Sequence, residues 1–255
     1  MKTDKSIKKV KSILRFLCKK KVTACIALAL IAGGIAISLA FNKVEKSVMT
    51  YVPVKNSEAP IIVLDAGHGG MDGGCSSVNG VPEKGINLNI LLTLRDMLEA
   101  TGYEVDVTRD TDRSIHDDGI EGIANQKSSD MDNRLAIFNK YPNAICISIH
   151  QNQFTDEKYS GAQMFFSPSD SKSGAIAQIM QNKFVEFIQP DNKREIKECG
   201  KELFLCHFSK NPTVMIECGF LSNREEAEKL ESPEYQKQVA FTIYSGLMEY
   251  LSKKK

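Results

Sequence analysis

Four side chains in this sequence stand where chemistry could be done. His68 follows the apolar run Ile61–Asp65 within IIVLDAGHGGMDGG, His150 ends the run AICISIH, and Glu217 ends TVMIE. Glu83 lies fifteen residues after His68 in VPEKGINLNI, just ahead of a stretch where Ile86, Ile90, Leu91, Leu94 and Leu98 recur with helical spacing. The chain has only four histidines, and two of them close apolar runs. Two neutral imidazoles and one carboxylate can hold a divalent zinc ion and leave a fourth position for water, which is the catalytic arrangement. On spacing alone, Glu83 serves equally well as that carboxylate or as an acid complementing the positive end of the following helix. His150 serves equally well as a ligand or as a hydrogen-bonded core histidine. His116, in the charged run RSIHDDGIEG, and His207, after Leu205-Cys206 in an expected edge strand, have weaker claims to a ligand position.

Other chemistries fit less well. Asp72 stands where a dinucleotide fingerprint counted from Gly67 needs its last glycine, and no Gly-Lys-Ser/Thr follows. No Gly-x-Ser-x-Gly elbow occurs, Ser148 has no obvious base, and no histidine accompanies Cys218 in sequence as a nucleophile would require.

These residues need strands and helices to bring them together. From Ala59 onward, short β-rich runs (61–65, 103–108, 144–150, 161–167, 204–208, 213–217) alternate with helical patterns (87–101, 132–140, 176–188, 235–251). Such alternation predicts an α/β fold, a single mostly parallel sheet flanked by helices on both faces. The unbroken apolar runs IIVLD, AICISI and TVMI suit strands buried on both sides. In such sheets ligands bind beyond the carboxyl ends of the strands, where His68, His150 and Glu217 fall. Val239, Ile243, Leu247 and Leu251 form a core-facing stripe on the last helix.

The 255 residues, 42% hydrophobic and 25% charged, suffice for one globular domain and an appendage. Residues 1–21 carry nine Lys or Arg against the single acid Asp4, which leaves 24 bases and 31 acids in the rest. A body of that sign gains nothing from counterion release on a polyanion, which argues against nucleic acid as a partner. Residues 22–41 run for twenty positions without a charge, enough for a helix to cross a hydrocarbon core of roughly 30 Å. The basic start keeps that end in the cytoplasm and sends the rest outward. The expected organisation is a basic cytoplasmic segment (1–21), a membrane anchor or signal segment (22–41), a linker (42–58) and an extracytoplasmic domain (59–255). Ser38-Leu39-Ala40 offers a cleavage signal, so the domain is either anchored or secreted. Its five cysteines show no metal-ribbon pairing, and several fall in apolar runs, so no disulfide framework is expected.

IVLDAGHGGMDGG, the Glu83-Lys84 element followed by Asn87-x-Asn89, SIHQN and VMIECGFLSN resemble, in order, the four signatures of the zinc-dependent N-acetylmuramoyl-L-alanine amidases over residues 60–252. The resemblance implies Zn2+ held by His68, Glu83 and His150, Glu217 as the catalytic carboxylate, and a mixed sheet flanked by helices. It also implies peptidoglycan as substrate. SIHQNQFTDEKYSGAQMFF and YQKQVAFTIYSGLMEYL look most like the branch that trims the spore cortex. Gln151 departs from the wider family, which commonly has Ala there, and would narrow substrate choice or hydrogen-bond the site. No wall-binding repeat is visible, so targeting falls to the anchor or to an envelope protein partner of unknown identity. A zinc carboxypeptidase or deacetylase acting on the same polymer would need similar ligands, and a non-catalytic envelope-binding module would need none. All four acid and imidazole positions are filled here.

Overall fold

The computed structural model describes residues 59–253. The expectations for residues 1–21, 22–41 and 42–58 lie outside these residues, and among the described ones no helix is long and apolar enough to cross a membrane. Apolar runs too short for a helix become strands, β1 (Ile62–Ala66), β2 (Val105–Val107), β3 (Ile145–Asn152), β4 (Gln163–Phe166) and β6 (Thr213–Phe220), and the charged, exposed pair β5 (Lys197–Glu198) adds an edge. They form one sheet in the order β2-β1-β3-β6-β4-β5. Strands β2, β1, β3 and β6 run parallel, whereas β4 is antiparallel to β6 and β5 follows β4. The sheet is therefore mostly parallel with a reversed edge.

The helices are α1 (Glu83–Ala100), α2 (Ile123–Phe138), α3 (Lys172–Phe187), α4 (Phe204–Phe208), α5 (Arg224–Glu231) and α6 (Pro233–Ser252). Alternate strand positions point to opposite faces, and the two faces differ in character. Ile62, Leu64, Ile147, Ile149, Val214 and Ile216 meet the apolar stripes of α1, α3 and α6 in the main core, where the predicted stripe of Val239, Ile243, Leu247 and Leu251 is buried. On the other face Val63 and Cys146 meet Phe138 of α2 and Leu205 of α4. That face turns polar toward the carboxyl ends of the strands, beginning with the buried Asp65 and Ser148.

Four elements differ from expectation, one of them β5, whose two charged residues leave no apolar run to announce a strand. Residues 204–208 form a short helix instead of an edge strand, because a five-residue apolar run carries no periodicity to separate the two. Helix α2 begins at Ile123, nine residues earlier than its apolar pattern, since its first half is polar and exposed. Helix α5 was not expected. Its Asn223 cap accepts from the Glu226 N–H, and Ser232 followed by Pro233 then starts α6, so the capping residues were the available signal. Cys75, Cys146, Cys199, Cys206 and Cys218 are all free thiols, as the sequence suggested.

Candidate active site

Register sets the site. His150 on β3 lies opposite Glu217 on β6, and Glu217 in turn lies opposite Gln163 on β4. On the other side the β1 ladder ends as the Gly67 N–H donates to Ile149 O at 3.0 Å. A Cβ at Gly67 would sit 2.1 Å from His150 Cε1, so the imidazole occupies the space that glycine leaves. His68 takes a left-handed backbone, φ 63°, which turns its ring to 5.0 Å from that of His150 with the planes at 78°. A non-glycine residue holds such a conformation only where its surroundings enforce it. Two buried arginines do so. Arg134 donates to His68 O at 2.7 Å and Ala66 O at 2.8 Å. Arg109 donates to Ala66 O at 2.9 Å, Gly67 O at 3.0 Å and Lys84 O at 2.8 Å.

Glu83 is the first residue of α1 and is 2% exposed. Its Oε1 accepts from Gln151 N at 3.0 Å and Asn87 Nδ2 at 3.0 Å and lies 3.1 Å from His150 Nδ1. Its Oε2 accepts from Cys75 N at 3.1 Å and lies 3.2 Å from His68 Nε2. One donor atom from each of His68, Glu83 and His150 lies within 4.8 Å of the others. The carboxylate thus stands in the first turn of the helix without capping it and faces the two rings. Burial would raise the Glu83 carboxyl, but His150 and His68 outweigh it and hold it below the usual carboxylate range. Burial likewise opposes charge on His68, but Glu83 and Asp72 raise it to about 9, and Glu83 raises His150 in the same way. The cluster therefore draws positive charge, and its two nitrogens and one carboxylate oxygen fit a borderline-soft divalent ion.

Glu217 stands beside this cluster with Oε2 buried and without a hydrogen-bond partner. Burial pushes its carboxyl up to about 7, with the negative Glu83 adding to the rise and the two imidazoles opposing it. A buried unpaired oxygen is costly and needs an explanation in function or in a missing partner. It opens with His68 and His150 onto a cleft of about 410 Å3 also walled by Met131, Lys127 and Phe204.

Sequence reasoning placed Glu217 at the end of its strand, but β6 runs on to Phe220 and β3 to Asn152, with a register irregularity after His150. His116 and His207 lie outside the cluster, bonded to Ser114 Oγ at 2.9 Å and to Cys199 O at 3.1 Å. Cys218 is buried in the main core on the opposite face. Gln151 also faces away from the cleft and donates to Asn87 Oδ1 at 3.0 Å, so it supports Glu83 through Asn87 and does not narrow the substrate pocket. Arg109 and Arg134 drew no reading from the sequence, and Asp72 figured there only as the residue that breaks a dinucleotide fingerprint. Asp72 Oδ2 lies 2.7 Å from His68 Nδ1, and its Oδ1 lies 2.8 Å from Lys127 Nζ.

Residues 62–249 match the family model for N-acetylmuramoyl-L-alanine amidases. The chain belongs to this amidase family. The germination-specific N-acetylmuramoyl-L-alanine amidase of Bacillus subtilis strain 168 is 34% identical over 195 residues, covering 76% of this chain and 81% of that protein. Among solved structures, the CwlD amidase from Clostridioides difficile, in complex with the GerS lipoprotein, is similar with a TM-score of 0.73 at 35% identity, over 76% of this chain and 100% of that one. An N-acetylmuramoyl-L-alanine amidase from Clostridium difficile 630 gives a TM-score of 0.66 at 27% identity, over 78% and 100%. The amidase match spans β1 through most of α6, so it covers all four residues singled out for chemistry.

Proposed function

We propose that this amidase hydrolyses the amide joining the lactyl group of N-acetylmuramic acid to the L-alanine of the stem peptide, with His68, Glu83 and His150 as ligands of a zinc ion and Glu217 as the general base. The observation that carries this reading is the buried, unpartnered Oε2 of Glu217 in the same row as His150. When bound, zinc would polarise the scissile carbonyl and bring the pKa of a water toward about 7. Glu217 Oε2 is the group placed to accept a proton from the attacking water and return it to the departing alanine nitrogen. Asp72 fixes His68 by accepting from Nδ1, which leaves Nε2 as the ligand atom. The glycine-lined His68 turn and the buried arginines keep the two rings facing one another without help from the substrate.

Treating purified cell-wall or cortex fragments with the zinc-loaded protein tests the reading. Mass spectrometry should find free stem peptides that begin with L-alanine. Released acetate or a terminal amino acid instead would assign a deacetylase or carboxypeptidase.

Two substitutions test the metal ligation. His150→Ala should lower zinc content in metal analysis, and an unchanged stoichiometry would remove His150 from the ligand set. Asp72→Asn should weaken zinc affinity by about 10–100-fold, read in a competition titration with a chelator, with the zinc-saturated fold retained.

The spore-cortex role is supported by the likeness to a germination-specific amidase and to CwlD. The wall substrate and the basic, then uncharged, first 41 residues support a domain held outside the membrane by residues 22–41. The solved complex of CwlD with a lipoprotein supports an envelope lipoprotein as the class of partner.

A further inference from the structure

Beyond Glu217, on the side away from His150, the catalytic row continues into a second polar group. Gln163, the register partner of Glu217, is 4% exposed, and its side chain bonds the chain segment that runs alongside β4. Its Nε2 donates to Glu195 O at 2.8 Å, and its Oε1 accepts from Arg194 Nη1 at 3.0 Å. Arg194 is therefore fixed one side chain beyond the carboxylate. Its Nε donates to Ser160 O at 2.9 Å, its guanidinium lies 4.5 Å from the centre of the Phe220 ring, and its backbone N–H donates to Asn192 Oδ1 at 2.9 Å. Phe220 stacks with Tyr159 at 6.3 Å.

This half-buried guanidinium is held rigidly and has no ion pair with a carboxylate among the described residues. Lys127 is neutralised by Asp72, Lys84 by Asp112 and Arg134 by Asp65 and Asp130, and Arg109 is fully buried on backbone carbonyls, so none of them is free for a substrate acid. Glu226 is the acid acting on Arg194 through space, but its oxygens already accept from Gly161 N and Phe220 N. A planar cation with preset geometry and no charged partner suits a carboxylate.

The substrate supplies one on one side only. In the reaction proposed above the muramoyl carboxyl is consumed in the amide, whereas the stem peptide carries free carboxylates. The cleft on the opposite side of Glu217 offers no unpaired cation for it: its Lys127 is paired with Asp72, its Arg134 with Asp65 and Asp130, and Glu202 adds a negative charge. Resting on the amidase reading, we propose that Arg194, positioned by Gln163, Ser160 and Phe220, binds a free carboxylate of the stem peptide. The peptide then runs from Glu217 across β4, and the sugar takes the cleft. Neighbouring strands lie about 5 Å apart and an extended chain advances about 3.3 Å per residue, so with the reach of Gln163 the carboxylate lies two to three residues from the scissile amide.

The test compares kcat and KM of the full chain on two soluble muropeptides that differ only in whether that carboxyl is free or a carboxamide. The wild type should show a KM lower by about tenfold or more for the free acid, the scale of a charge-assisted hydrogen bond. R194M should lose that preference through KM with little of the loss in kcat, and R194K should keep part of it. A wild type that does not distinguish the substrates, or an R194M whose KM rises equally on both, overturns the assignment. If R194M fails to fold in a thermal melt, R194K carries the same comparison, since it keeps the charge and loses the planar fork. Cleavage of neither substrate by zinc-loaded wild type would strike the amidase reading itself, whereas cleavage of both with equal KM strikes Arg194 alone.

Discussion

Glu217→Gln is expected to slow peptide release from murein by about 10²–10⁴-fold, with zinc content and unfolding midpoint close to wild type. The substitution keeps the shape and size of the side chain and removes only its capacity to accept a proton at Oε2. Because that oxygen has no partner in the protein, no internal hydrogen bond is broken. The fold loses nothing by neutralising a carboxyl that burial already holds near neutrality, at about 7. The wild-type profile should carry the mark of the same group. A base must be ionised to work, so kcat/KM falls as pH drops through the titration of Glu217, and a bound cation pulls that limb below about 7. In the Gln variant the residual rate should lack this limb. A Gln variant that digests glycan strands at the wild-type rate, or that keeps the acid limb, would remove Glu217 from the proton transfers.

How far the sequence could be read depended on the kind of signal each residue leaves. His68, His150 and Glu217 were legible because each is a polar residue at the close of an apolar run, and a sheet buried on both faces accepts such residues only toward its carboxyl ends. The two-faced sheet and the stripe of α6 were legible for the same reason, since burial imposes its period on the residues. Glu83 was ambiguous on spacing, and only its buried contacts with both rings separate a ligand position from a helix-end charge. Arg109 and Arg134 left no signal. Arginine on a mostly polar helix reads as a solvated face, and nothing in local sequence says that Arg134 turns inward to the carbonyls of Ala66 and His68. Arg194 was invisible for a similar reason, because β5 is two residues long and the chain before it has no periodic pattern. The pairings that tertiary structure alone decides, acid to arginine and arginine to carbonyl, are the ones sequence patterns miss.

The second large effect tests one of those pairings. Arg134→Met is expected to destabilise the protein by about 3–5 kcal/mol, measured by urea unfolding at pH 7. Arg134 and Asp65 are 2% and 1% exposed, and the guanidinium bonds Asp65 Oδ1, Asp130 Oδ2 at 2.6 Å and the two carbonyls of the His68 turn. Methionine fills most of the volume but leaves Asp65 as a buried charge whose remaining hydrogen-bond donors are the Thr108 and Ser148 hydroxyls. Adding Asp65→Asn should recover much of the loss, because the penalty comes from the orphaned charge more than from the missing attraction. The pH dependence gives an independent check. Burial alone would raise the Asp65 carboxyl, but Arg134, with His150 and the two hydroxyls, outweighs it and holds the group below 3.8. With the folded value depressed, its contribution to stability is present above about 4 and is lost as pH falls through the lower folded value. In Arg134→Met burial is unopposed by that cation and the sign reverses. The folded state then binds the proton more tightly than the unfolded one, and the variant gains stability relative to wild type as pH is lowered from 7 toward 5. A stability gap that stays constant over that range would mean that Asp65 is not the charge Arg134 compensates, and the anchoring of His68 would then rest on the carbonyl bonds alone.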